Sequence, residues 1–158
     1  MTTSLSPPNR VPWPPIVYLT AIAAGIVLVV LYPLPWIEGP LADILFAAGW
    51  LLAAAGVFTG VAAMRVMHKA NTTIKPNRVS DHLVTSGPFS FTRNPIYLGN
   101  AMITLGIGLI VGSVWFLFAG LIAAFVTQKL TIEPEERHLS ARFGKKYRDY
   151  AARVRRWV

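Results

Sequence analysis

The 158-residue chain contains no cysteine, and only seven of its residues are acidic. Without thiols there are no disulfides and no thiolate metal sites. His68 and His82 stand too far apart, with too few carboxylates near them in sequence, to suggest a zinc site. No glycine-rich phosphate loop is present, and no Ser-His-Asp order stands out. Charge of both signs is scarce as well. Soluble domains carry about 25% charged residues, whereas this chain carries 14%. What fills the space is apolar: 54% of residues are hydrophobic and the mean hydropathy is +0.49.

Three long runs hold no charged residue, namely Val11 to Ile37, Ile44 to Met64 and Pro95 to Gln128. A membrane-spanning helix needs about 20 apolar residues, so each of the first two runs fits one span. The third run has 34 residues. As one straight helix it would be about 51 Å long, well beyond a hydrocarbon core of about 30 Å. Gly112-Ser113 at its middle can reverse the chain, which predicts a helical hairpin. The expected fold is therefore all-α: a polytopic integral membrane protein with about four transmembrane helices, over about 16–32, 41–67, 96–111 and 114–128. A flexible arm, 1–15, precedes a single domain, 16–158. Gly56-Val57-Phe58-Thr59-Gly60 in the second span is a small-xxx-small pattern suited to close helix packing.

Four spans place both termini on one side, and the charges agree with that. Arg10, Arg65, Lys69, Lys75, Arg78, Arg93, Lys129 and the basic C-terminal stretch fall on one face, while Glu38 and Asp43 mark the other. The positive-inside rule puts the basic face in the cytoplasm. The net charge of +8 then reads as a topology signal with attraction to anionic lipid, and nucleic acid is not expected as a partner. The first span reads as uncleaved. The expected location is a bacterial or archaeal inner membrane.

Between the second and third spans lies a polar connector, 68–95. Asn94-Pro95 interrupts helix, because the residue before proline is pushed toward extended backbone. Pro95 then suits the first turn of the next helix, whose free N–H groups favour an anionic group. Arg93 at this membrane edge is costly unless paired or solvated, and Phe89, Phe91 and Tyr97 around it offer a slot for a flat ring. After the hairpin, Glu133, Glu135 and Glu136 suit a helix start. Leu139, Phe143, Tyr147, Tyr150, Val154 and Trp157 follow at helical spacing and predict one amphipathic helix, 133–157. It would lie on the inner leaflet or fold back over the connector.

Leu83-Val84-Thr85-Ser86-Gly87-Pro88-Phe89, followed by Arg93-Asn94-Pro95-Ile96-Tyr97, resembles the signature of the isoprenylcysteine carboxyl methyltransferase family. Glu135-Glu136, Leu139, Phe143-Gly144, Tyr147, Tyr150 and Val154 are similar to that family's C-terminal block. The superfamily also includes phospholipid N-methyltransferases and small-thiol methyltransferases. Phe89 stands where the family has tyrosine, Asn94 where it has histidine, and Glu133-Pro134 where an arginine often stands. The resemblance implies an integral membrane methyltransferase that uses S-adenosylmethionine and releases S-adenosylhomocysteine. Carried over by motif position, the cofactor contacts are Leu83, Val84, Phe89, Asn94, Pro95, Ile96, Tyr97 and Glu136. Arg93 and Glu136 match the catalytic polar pair, and no metal is implied. The acceptor stays open among an isoprenylcysteine-like carboxylate, a lipid amine and a thiol. The competing readings are a membrane-embedded NADPH-dependent sterol or enone reductase and a small four-span transporter or scaffold.

Overall fold

Proline opens most of the helices. A computed structural model describes residues 12–70 and 83–158. Lys75, Arg78, His82 and most of the N-terminal arm lie outside the described residues. Helix α1 spans Trp13–Leu31, α2 Pro40–Lys69, α3 Pro95–Val111, α4 Val114–Thr127, α5 Glu133–Phe143 and α6 Lys145–Arg153. A short 3-10 turn, Gly87–Ser90, precedes α3, and a π turn, Gln128–Ile132, joins α4 to α5. Helices α1, α2, α3 and α5 each have proline in the first two positions. An N–H there has no intrahelical partner, so its loss costs nothing. No strand occurs among the described residues.

Three helices are long and apolar enough to cross a membrane: Trp13–Leu31, Pro40–Lys69 and the continuous Val114–Phe143. Pro95–Val111 is apolar but shorter. With 17 residues, α3 is about 25 Å long, and it is the most enclosed of the four. Helix α2 packs along α3, α3 along α4, and α4 along α1, so α1 docks on α4 rather than on its sequence neighbour. The hairpin turns at Gly112-Ser113 as expected. Gly112 takes a left-handed conformation (φ +67°) and donates its N–H to Gly108 O, a common way to end a helix. Trp36 packs over Gly112, and Trp115 Nε1 donates to Tyr32 O at 2.7 Å. Together they clasp the end of the bundle away from the connector.

The α2–α3 contact is a backbone contact. A Cβ placed on Gly99 would lie 2.6 Å from Gly56 O, and one on Gly106 would lie 2.7 Å from Gly49 O. The spacing that matters is therefore seven residues on each helix, Gly49 with Gly56 and Gly99 with Gly106. Gly60 takes part through its backbone N only, since a Cβ there meets nothing within 4 Å. The Gly56–Gly60 pattern is half of the interlock.

The expected single helix over 133–157 is corrected. It breaks at Gly144, whose φ of +53° interrupts the helix with a backbone that side-chain-bearing residues seldom adopt. The chain then leaves helix at Val154, which is extended (φ −118°, ψ 127°). The apolar spacing runs through the break without a gap, which is why the pattern reads as continuous. The fourth helix also runs on past Gln128 through the π turn. The π turn inserts an extra residue and so re-aims the face that follows by about 100°.

Candidate functional site

Asn94 is the N-cap of α3, yet its side chain does not cap the helix. Its Nδ2 donates instead to Arg156 O at 2.9 Å. Thr92 Oγ1 donates to the same carbonyl at 3.2 Å, and Arg93 N donates to Arg155 O at 3.0 Å. Tyr150 adds a fourth tie, donating its hydroxyl to Phe89 O at 2.7 Å. The extended C-terminal stretch and α6 are thus sewn to the connector through backbone carbonyls. These bonds depend on backbone geometry and on short polar side chains. They hold Arg93 and Arg156 on one side of the clasp.

Both arginines converge on Glu136 at the start of α5. Arg156 binds it in bidentate fashion, Nε to Oε1 at 3.0 Å and Nη2 to Oε2 at 2.7 Å. Arg93 Nη2 reaches Oε1 at 3.2 Å, and Arg93 Nη1 also donates to Tyr147 Oη at 3.4 Å. Planar, two-pronged pairing of this kind is among the stronger ion-pair geometries. Arg156 lies 3.9 Å from Glu133, which is itself held by Lys129 at 2.7 Å. Glu133 is pulled below the usual carboxylate range by Lys129 first, with Gln128 and Arg156 adding to it. Arg93 Nε is buried and has no partner. A buried charged donor left unmade is costly, so an anionic group bound here would be stabilised. Arg93, Glu136 and Arg156 sum to one positive charge, which also suits a carboxylate.

Glu135 is in a different environment. It is half-buried, and its Oε1 accepts the Tyr97 hydroxyl at 2.9 Å. No cation among the described residues pairs with it. Desolvation, reinforced by the adjacent Glu136 charge, pushes its carboxyl up to about 7 against the lowering effect of Tyr97. An acid whose folded pKa is raised binds more protons folded than unfolded. Stability from this group is therefore present below about 4.5 and lost as pH rises through about 7. Glu135→Gln is expected to flatten this part of the dependence. Its thermal midpoint should fall less than that of the wild type between pH 5 and pH 8, read by tryptophan fluorescence in detergent.

Tyr97 also borders a groove of about 410 Å³ between α1 and α3, lined on one side by Pro14, Tyr18 and Ile22 and on the other by Tyr97, Asn100 and Thr104. Tyr18 donates its hydroxyl to Tyr97 O at 3.4 Å. Leu19, on the groove wall, is exposed.

The fold thus joins Arg93 to Glu136, which lie in separate sequence blocks. Asn94 sits in the backbone clasp, and Pro95 is buried at the helix start. Ile96 and Tyr97 line the groove. Phe89 lies in the 3-10 turn, and Leu83 and Val84 are half-buried at the edge of the described segment. Arg156 is the residue that sequence reasoning missed. It is one of several arginines on a basic face, and nothing in the spacing singles it out. Glu135 was legible as half of a Glu-Glu pair, but its separation in role from Glu136 depends on which side of the helix each one faces.

Apolar helices long enough to cross a bilayer, with a cluster of ion pairs at one end of the bundle, define the class as a helical membrane protein. The family model described as phospholipid methyltransferase matches residues 44–146, which take in most of α2, the connector, the hairpin and α5. The chain belongs to this family, within the superfamily of membrane methyltransferases that includes the isoprenylcysteine carboxyl methyltransferases. No curated protein matches the chain.

Proposed function

We propose that the protein is an S-adenosylmethionine-dependent methyltransferase that acts on a lipophilic acceptor at the cytoplasmic face of a membrane. The observation that carries this reading is the Arg93–Glu136–Arg156 cluster beside the start of α3, with Arg93 Nε buried and unpartnered. Its chemistry fits the amino-acid end of the cofactor. Arg93 would take the carboxylate. The lone pairs left on Glu136 would accept from the ammonium or a ribose hydroxyl. Phe89, Pro95 and Ile96, with Leu83 and Val84, would supply the apolar walls for the ring.

When bound, S-adenosylmethionine supplies a methyl group already activated on a sulfonium. The chain's own work is then alignment and exclusion of water, and well-oriented reactants can gain about 7–11 kcal/mol over free encounter. Arg156 fixes the Glu136 carboxylate in one orientation, and the clasp through the Arg155 and Arg156 carbonyls fixes Arg156 in turn. An acceptor lipid would reach the site sideways along the α1–α3 groove, without crossing water. The family's name supports a phospholipid acceptor. The one-sided charge supports a cytoplasmic site.

Equilibrium dialysis with labelled S-adenosylmethionine tests the reading. The detergent-solubilised wild type should bind saturably, and binding should be competed by S-adenosylhomocysteine. Absence of binding at millimolar cofactor would remove the proposal. Arg156→Lys should weaken binding about tenfold, since an ammonium cannot reproduce the two-pronged contact.

A further inference from the structure

The π turn does more than re-aim α5. Across it, Glu133 N donates to Gln128 O. Residues five apart lie about 140° apart around an α-helix, whereas the i-to-i+5 bonding of a π turn brings them into line. Gln128 is thereby carried onto the face of Glu133, and its Nε2 donates to Glu133 Oε1 at 3.4 Å. The other end of the same amide, Oε1, accepts the Trp157 indole N–H at 2.8 Å. Trp157 is the residue after Arg156 on the extended stretch, and both are half-buried, whereas Arg155 and Val158 are exposed. The stretch therefore has two sets of ties. Its carbonyls at Arg155 and Arg156 accept from the connector. Its side chains at Arg156 and Trp157 reach α5 and the π turn, at Glu136 and Gln128.

We propose that Trp157 and Gln128 are positioning residues for the donor site, and that they act through Arg156. The inference rests on S-adenosylmethionine being the donor bound there. The carbonyl ties fix where the backbone of the stretch lies, but not where the long Arg156 side chain points. Arg156 has two carboxylates within reach, Glu136 at 2.7 Å and Glu133 at 3.9 Å. Its two-pronged contact with Glu136 needs the guanidinium and carboxylate planes aligned. Two things favour that arrangement. The indole bond pins the residue that follows Arg156, which keeps the stretch from twisting. Glu133 is already occupied, by Gln128 and by Lys129 at 2.7 Å, so it competes weakly for Arg156. Without the Trp157–Gln128 bond the stretch is free to turn, Arg156 divides itself between the two carboxylates, and Glu136 loses its fixed orientation. The π turn is what makes this possible, because on an uninterrupted α-helix Gln128 would not share a face with Glu133.

The test uses the full chain in detergent micelles, with the Kd for labelled S-adenosylmethionine measured per folded protein. Trp157→Phe keeps a ring but loses the N–H, and Gln128→Leu removes the acceptor. Each should raise Kd about fivefold, the worth of one hydrogen bond, and the double variant should be no worse than either single one. Arg156→Lys supplies the decisive background. There the two-pronged contact is already gone, so adding Trp157→Phe should change Kd by no more than about twofold. Nitrogen-15 NMR of the indole groups, without donor, gives a second readout. The Trp157 signal, assigned by its absence in Trp157→Phe, should shift in Gln128→Leu and also in Arg156→Lys. Three results would overturn the proposal: wild-type affinity in both single variants, fully additive losses for Trp157→Phe and Arg156→Lys, or a Trp157 signal that Gln128→Leu leaves in place. Failure of the wild type to bind donor at all is a different outcome. It would overturn the donor reading, and the indole response to Arg156→Lys would then show whether Trp157 and Arg156 are coupled.

Discussion

Glu136→Ala is expected to weaken S-adenosylmethionine binding about 10- to 100-fold, the worth of one charge-assisted hydrogen bond. Loss of the carboxylate has a second consequence. Arg93 and Arg156 now meet across Glu136 Oε1 at 3.2 and 3.0 Å, and without it they would face each other as like charges. Arg156 would then swing toward Glu133, already within 3.9 Å, and the orientation of the site would be lost along with one ligand contact. Glu136→Gln keeps the shape but not the charge, and should fall between wild type and alanine. Dialysis with labelled cofactor reads all three. Wild-type affinity in Glu136→Ala would exclude this residue from the site.

The largest expected effect on stability comes from a methyl group. Gly99→Ala would place Cβ 2.6 Å from Gly56 O, a backbone atom in the middle of a long helix. Neither helix can yield locally, so α2 and α3 must move apart along their length and lose contact at Gly49 and Gly106 as well. Overpacking of this kind costs about 1–3 kcal/mol, or about 2–10 °C in thermal midpoint for a chain of this size. Gly60→Ala is the control: its Cβ meets open space, and alanine favours helix by up to about 1 kcal/mol. Tryptophan fluorescence on heating in detergent should show the first variant well below wild type and the second level with it or above. Equal midpoints would mean that α2 and α3 are not held by this interlock.

The all-helical architecture, its long apolar helices and the hairpin at Gly112 were legible in the sequence. They depend on composition over windows of about 20 residues and on a turn that only small residues allow. The meeting of Arg93 with Glu136 was legible through motif order, because the hairpin returns the chain to the end from which it left. Three features were not. The break at Gly144 is silent in the apolar spacing, since Phe143 and Tyr147 keep their interval across it. The role of Arg156 depends on an extended stretch that pairs with the connector through carbonyls, and backbone pairing leaves no side-chain pattern to read. Glu135 and Glu136 adjoin in sequence yet point to different partners, Tyr97 and the arginines. Their difference arises from helix phase after the π turn, which periodicity over Glu133–Phe143 alone does not reveal.

The most direct measurement is transfer itself. Purified wild type, incubated with methyl-labelled S-adenosylmethionine and a membrane lipid extract, should yield labelled lipid. Glu136→Ala, matched for folded protein, should yield far less. Label that stays entirely in S-adenosylmethionine with wild-type protein would contradict the account.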